Sequence, residues 1–129
     1  MKLQPDKSES QTLTAHGPGW VAINGEKIES SVVLNSRGLR FAWDCAAFDQ
    51  LDASHFAKLV ELDAELIIFG SGQRLRFPKP VWLAPLMARR VGVETMDTAA
   101  ACRTFNILAA EGRHVVAALV VEPWQPAKT

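Results

Sequence analysis

The stretch Glu65–Val121, ELIIFGSGQRLRFPKPVWLAPLMARRVGVETMDTAAACRTFNILAAEGRHVVAALVV, decides the fold. Leu66–Phe69 is a continuous apolar run ending in Gly70, the pattern of a strand covered on both faces. Val81–Val91 is expected to be a helix with Leu83, Leu86 and Met87 inward, and Pro85 is tolerable there as a residue near the first turn. Val93–Thr95 reads as a short strand. Asp97 then caps a helix that ends near Glu111, with Gly112 as its stop. Val115–Val121 is apolar throughout and so is expected at the centre of a sheet. Strand, helix, strand, helix, strand demands crossover connections and a partly parallel sheet.

Upstream, the chain reads as a β meander. Thr12–His16 alternates weakly, Gly17-Pro18-Gly19 turns, and Trp20–Ile23 is a short strand. Asn24-Gly25 is a hairpin signal, because a type I′ turn needs positive φ at both central residues. Lys27–Leu34 returns as the partner strand, Asn35–Gly38 turns, and Leu39–Trp43 adds another strand. Ser54 is expected to cap a short helix with Phe56, Leu59 and Val60 inward. The expected fold is α/β, with a mixed central β-sheet, helices on one face and the N-terminal β-hairpin/meander as a further layer. Residues 1–11 read as a flexible polar start, 12–121 as a single α/β domain, and 122–129 as a tail broken by Pro123 and Pro126.

Composition narrows the function classes. Of 129 residues, 48% are hydrophobic and 22% charged, as in an ordinary globular chain. Lys plus Arg equals Asp plus Glu at 14 each, which argues against broad attraction to nucleic acid or anionic membranes. No apolar core follows a basic start and no run is long enough to span a bilayer, so a cytoplasmic protein is expected. Cys45 and Cys102 share no motif and read as reduced and buried.

Several residue groups invite a chemical reading. Gly70-Ser71-Gly72 after a buried strand resembles an anion cradle, since glycines let backbone N–H groups approach a phosphate. It does not complete a dinucleotide fingerprint, because Leu75 takes the sixth position and Pro78 and Pro80 oppose a helix there. It also lacks the Gly-Lys-Ser/Thr end of a P-loop and the outer glycines of a nucleophile elbow. The bland alternative is a tight turn. Arg74, Arg76 and Lys79 follow closely, either completing an anion site or decorating a solvated edge. His16, His55 and His114 show no i, i+4 pair and the cysteines no C-x-x-C, so no metal is expected. Cys102 shares a helical face with Phe105 and Ala109, which opposes a role as nucleophile or redox sensor. On the same helix Asn106 borders the inward face and needs partners. Glu94, Arg103, Asn106 and Arg113 are expected either as a network tying helix to sheet or as one wall of a polar cleft. Ile107, opposite Phe105, and Trp124 in the tail are candidate protein contacts.

The run Met96-Asp97-Thr98, Ala101-Cys102-Arg103-Thr104-Phe105-Asn106, Leu108 and Glu111-Gly112-Arg113 resembles the signature of the Mth-type domain family of unknown function. Ile67-Ile68-Phe69-Gly70-Ser71-Gly72 and Val115–Leu119 are similar too, so the resemblance covers roughly residues 12–121. That family includes the third assembly factor of mitochondrial respiratory complex I and an adipogenesis-associated protein. The resemblance implies a three-layer α/β fold with one strand antiparallel to the rest of the central sheet, and no established enzymatic activity. Two functions follow as expectations. The first is a non-catalytic protein that binds a protein partner and assists assembly. The second is a protein, an enzyme included, that binds a small anionic ligand. Its cleft would lie between Gly70–Gly72 and the helix starting at Asp97, built from Gly70, Ser71, Gly72, Arg74, Asp97, Thr98, Arg103, Asn106 and Arg113. No cofactor, nucleic-acid partner or membrane span is expected.

Overall fold

The computed structural model describes residues 10–124. Most of the expected flexible start and Pro126 of the tail lie outside that range. Eight strands form two sheets. The first sheet is antiparallel: β1 (Leu13–Gly17), β2 (Trp20–Ile23) and β3 (Glu26–Ile28) pair in sequence order. Asn24 and Gly25 both take positive φ between β2 and β3, as the hairpin signal requires. The second sheet holds β4 (Val32–Asn35), β5 (Arg40–Ala42), β6 (Leu66–Gly70), β7 (Gly92–Met96) and β8 (Val115–Leu119) in the order β5-β4-β8-β6-β7. β6 runs parallel to β7 and to β8, while β4 is antiparallel to both its neighbours. It is thus the one strand opposed to the other four.

Strand β8 explains the layering. It occupies the centre, as its unbroken apolar run predicts, and its residues alternate between two cores. Val115, Ala117 and Leu119 face helix α3 (Thr98–Ala110) and the small sheet, packing with Phe105, Val21 and Ile23. Val116 and Ala118 face the opposite side, where α1 (Ala53–Ala57), a 3₁₀ turn (Lys58–Leu62) and α2 (Pro80–Ala88) supply Phe56, Leu59 and Leu86. The α/β class, the mixed central sheet and the N-terminal β layer stand as expected. The helix placement is corrected in one point: helices lie on both faces, because α3 shares its face with the small sheet. Two crossovers, β6-α2-β7 and β7-α3-β8, place their helices on opposite sides because β7 is an edge and β8 lies beyond β6.

Local differences from the sequence reading have local causes. The expected long strand Lys27–Leu34 is two strands in different sheets, parted at Glu29–Ser31. Asp52, not Ser54, caps α1: its carboxylate accepts from the Ser54 N–H while His55 Nδ1 accepts from the Asp52 N–H. Met87 is exposed rather than inward, and Leu86 alone of α2 is fully buried. Pro85 lies in the second turn of a helix that begins with Pro80. Gln11 is buried, and its amide donates to the carbonyls of Asn35 (2.9 Å) and Leu39 (2.8 Å).

Candidate functional site

The parallel strands β6 and β8 end on the same side of the sheet, where open α/β sheets bind ligands. The N-terminus of α3 lands on those ends. Gly70 permits the approach, since a Cβ there would sit 3.0 Å from both Thr98 Cα and Leu119 Cδ2. The Thr98 hydroxyl donates to the Val120 carbonyl (2.7 Å) and accepts the Gly72 N–H (2.9 Å). The Thr98 N–H in turn donates to the Gly72 carbonyl at 2.9 Å. Asp97 caps the helix by accepting from the Ala100 N–H at 2.8 Å. Ser71 is wholly buried: its N–H donates to the Met96 carbonyl (2.8 Å), and its hydroxyl donates to Arg74 O (2.7 Å) and accepts the Arg76 N–H (3.0 Å).

An anion already fills the loop, and it is the chain's own. Glu122 follows β8 at the same sheet end. Its Oε1 accepts from Arg76 Nη2 at 2.7 Å and its Oε2 from the Phe48 N–H at 3.0 Å. Arg76 further donates to the Ser71 carbonyl (2.8 Å), and its guanidinium lies 4.7 Å above the Phe48 ring. Partial burial alone would raise the Glu122 carboxyl. The Phe48 N–H, the Arg76 guanidinium and the Gln73 N–H outweigh that and hold it below the usual carboxylate range. Gly72 has φ of +107°, and a Cβ there would lie 2.5 Å from both Arg76 Nη2 and Glu122 Oε1. The glycine loop is therefore an occupied corner: the backbone donors of Ser71 and Gly72 serve the chain itself.

A cleft of about 410 Å³ opens beside this corner, lined by His16, Trp20, Gln73, Asp97, Thr98 and Trp124 among others. The structure thus brings Gly72, Asp97 and Thr98 together, as the cleft reading expects. Arg74, Arg103, Asn106 and Arg113 do not line it. Arg74 and Arg103 point into solvent. Asn106 grips the start of β1, accepting the Leu13 N–H and donating to the Leu13 carbonyl, both at 2.9 Å. Arg113 sits at the other end of β8, 3.6 Å from Glu65. The length of a five-residue strand, roughly 17 Å at about 3.3 Å per residue, and more separates it from Gly72. Ile107 and Trp124 are both exposed.

The remaining reactive groups are inert or alone. Cys102 is buried against the sheet, which pushes its thiol up to about 12, so it carries no thiolate at neutral pH. Burial raises the Cys45 thiol as well. Among the described residues no group of three His, Cys, Asp or Glu side chains could hold a metal ion. Their helices include none long and apolar enough to cross a membrane.

The sequence reading missed Glu122, and it left Arg76 open between completing an anion site and decorating a solvated edge. The signal was topological: parallel β6 and β8 bring residues 70–73 and 120–122 to one corner. Pairing a Gly-rich loop with the acid that follows the next parallel strand would have found them.

The family described as "Protein of unknown function (DUF498/DUF598)" matches residues 13–120. The chain is 31% identical to the Mus musculus NADH dehydrogenase [ubiquinone] 1 alpha subcomplex assembly factor 3 over 97% of its own length and 68% of that protein's. A crystal structure from Bordetella parapertussis superposes with a TM-score of 0.82 at 36% identity, covering 88% of this chain and 97% of the other. A solution structure from Bordetella pertussis, described as a Mth938-like domain, gives a TM-score of 0.79 at 31% identity over 97% and 95% of the two chains.

Proposed function

Because the chain belongs to the DUF498/DUF598 family of proteins of unknown function, we propose that it is a non-catalytic binding protein that assists the assembly of a protein complex. The observation that carries this reading is the Glu122 carboxylate in the glycine loop. At the corner where an α/β sheet would hold an anionic substrate, the Phe48 N–H and Arg76 meet Glu122, the Gly72 N–H meets Thr98 and the Ser71 N–H meets the Met96 carbonyl. Among the described residues the cleft lining carries one histidine and no cysteine. Support also comes from relatives named as assembly factors for NADH dehydrogenase. Exposed Ile107 on α3 and Trp124 beside the cleft give a protein partner apolar anchors. Both cysteines are free, which suits a reducing compartment such as the cytoplasm.

Affinity capture from native cells under gentle lysis tests this. Wild type is expected to retain a stoichiometric protein partner, and Ile107→Asp or Trp124→Ala to lose it. If no protein is captured and a small molecule copurifies instead, lost with Trp20→Ala in the cleft wall, the ligand-binding reading replaces this one.

A further inference from the structure

Between Glu65 and Glu94 the chain holds five cations, Arg74, Arg76, Lys79, Arg89 and Arg90, and no carboxylate side chain. Arg76 is bound to Glu122. Among the described residues the other four form no ion pair. A chain of zero net charge thus concentrates positive charge in the segments on either side of α2, and the rest of the molecule is correspondingly acidic.

The same segment exposes apolar side chains. Phe77 is 69% exposed, Val81 67% and Met87 65%, the three highest values among the exposed large apolar residues. Met87 also lines a recess of about 420 Å³ between α2 and the edge strand β7, together with Leu83, Arg90, Val91, Gly92 and Val93. Among the described residues β7 pairs with β6 alone, so its outer side has no neighbouring strand there. Arg90 sits at the recess with φ of +60°, the left-handed position after a helix that glycine usually takes. An arginine is held where the backbone disfavours it, beside an apolar hollow.

We propose that this recess receives a large apolar side chain from an acidic segment of a protein partner, with Arg89 and Arg90 meeting the carboxylates that flank it. The proposal rests on the binding role above and supplies the partner's chemistry. Charge complementarity selects an acidic occupant. Shape selects a protein over a lipid surface: a bilayer would cover Phe77 and Val81 but leave a hollow between helix and strand unfilled.

The test titrates the full isotope-labelled chain with a synthetic peptide alternating glutamate with leucine or phenylalanine, followed by NMR. Its lysine-for-glutamate counterpart and vesicles of phosphatidylcholine and phosphatidylglycerol in equal parts serve as competing probes. Shifts are expected at Val81–Val93, with the acidic peptide only, and weaker in high salt. Arg89→Glu with Arg90→Glu is expected to weaken binding about tenfold. Met87→Asp, which touches no buried contact of α2, is expected to do the same, and Arg103→Glu on α3 to leave it unchanged. Equal affinity in the charge-reversed chain, shifts elsewhere, no binding by the acidic peptide, or retention by the vesicles alone would overturn the proposal. Capture of a native partner that survives charge reversal and is lost with Ile107→Asp would overturn this face while leaving the binding role intact.

Discussion

Two regions of the molecule carry positive charge near apolar side chains, and they have opposite fates. At the strand ends, Arg76 meets Glu122, and the Gly72 N–H meets Thr98. On the flank of α2, Arg74, Lys79, Arg89 and Arg90 meet no carboxylate among the described residues. The first region has the look of a site, and the chain's own groups satisfy it except at Arg76 Nε, which is buried without a hydrogen-bond partner. The second carries no motif and is left with unpaired charge and uncovered apolar surface. Functional potential follows unsatisfied groups rather than familiar loops.

If the corner is structural, its disruption should cost stability. Glu122→Ala leaves a half-buried guanidinium and the Phe48 N–H without their acceptor. A loss of about 3 kcal/mol is expected by urea denaturation, the lower end for breaking a buried pair because both side chains keep some solvent. Sulfate or acetate should restore part of that loss, since the empty cradle then offers an anion site that only the folded state has. A stability unchanged from wild type would mean that the corner is not the closed structure its geometry describes.

Thr98→Val removes a hydroxyl that serves two backbone groups, the Gly72 N–H and the Val120 carbonyl. The expected loss is about 2 kcal/mol, with no new anion affinity, because Glu122 still fills the loop. Comparing the two variants separates anchoring of the loop from its occupation.

The pH dependence follows with its sign. The folded Glu122 carboxyl lies below its ordinary value of 4.5, so the unfolded chain binds the proton more readily. Its stabilisation is fully present above about pH 5.5 and is lost as pH falls through the depressed folded value. Glu122→Gln should flatten the stability curve over that acid window and leave the neutral-to-alkaline limb parallel to wild type.

How much of this was legible in the sequence depends on range. The α/β class, the hairpin at Asn24-Gly25, the Asp97 cap and the central place of Val115–Leu119 were legible because each rests on local pattern. The break at Glu29–Ser31 was not, because hydrophobicity continues across it and only the assignment of β3 and β4 to different sheets imposes it. The cleft was half legible. Asp97 and Thr98 come to the Gly70 loop because a crossover brings a helix N-terminus to the neighbouring strand end. Arg113 and Asn106 do not, because strand length and helix phase carry them elsewhere. Glu122 could be found only from the parallel pairing of β6 with β8.

The smallest expected effect bears most directly on the open flank. Arg90 is left-handed at the end of α2, and its φ of +60° is a conformation that side chains with a Cβ disfavour. Arg90→Gly should therefore stabilise the fold, by about 0.5 kcal/mol once the greater freedom of glycine in the unfolded chain is set against the relieved strain. The same change should weaken binding of the acidic peptide. A gain in stability joined to a loss of binding would mark Arg90 as a side chain held for its charge at a cost to the backbone. A loss of stability would instead show that the guanidinium already has a structural partner, and the contrast between the occupied corner and the open flank would narrow to Arg74, Lys79 and Arg89.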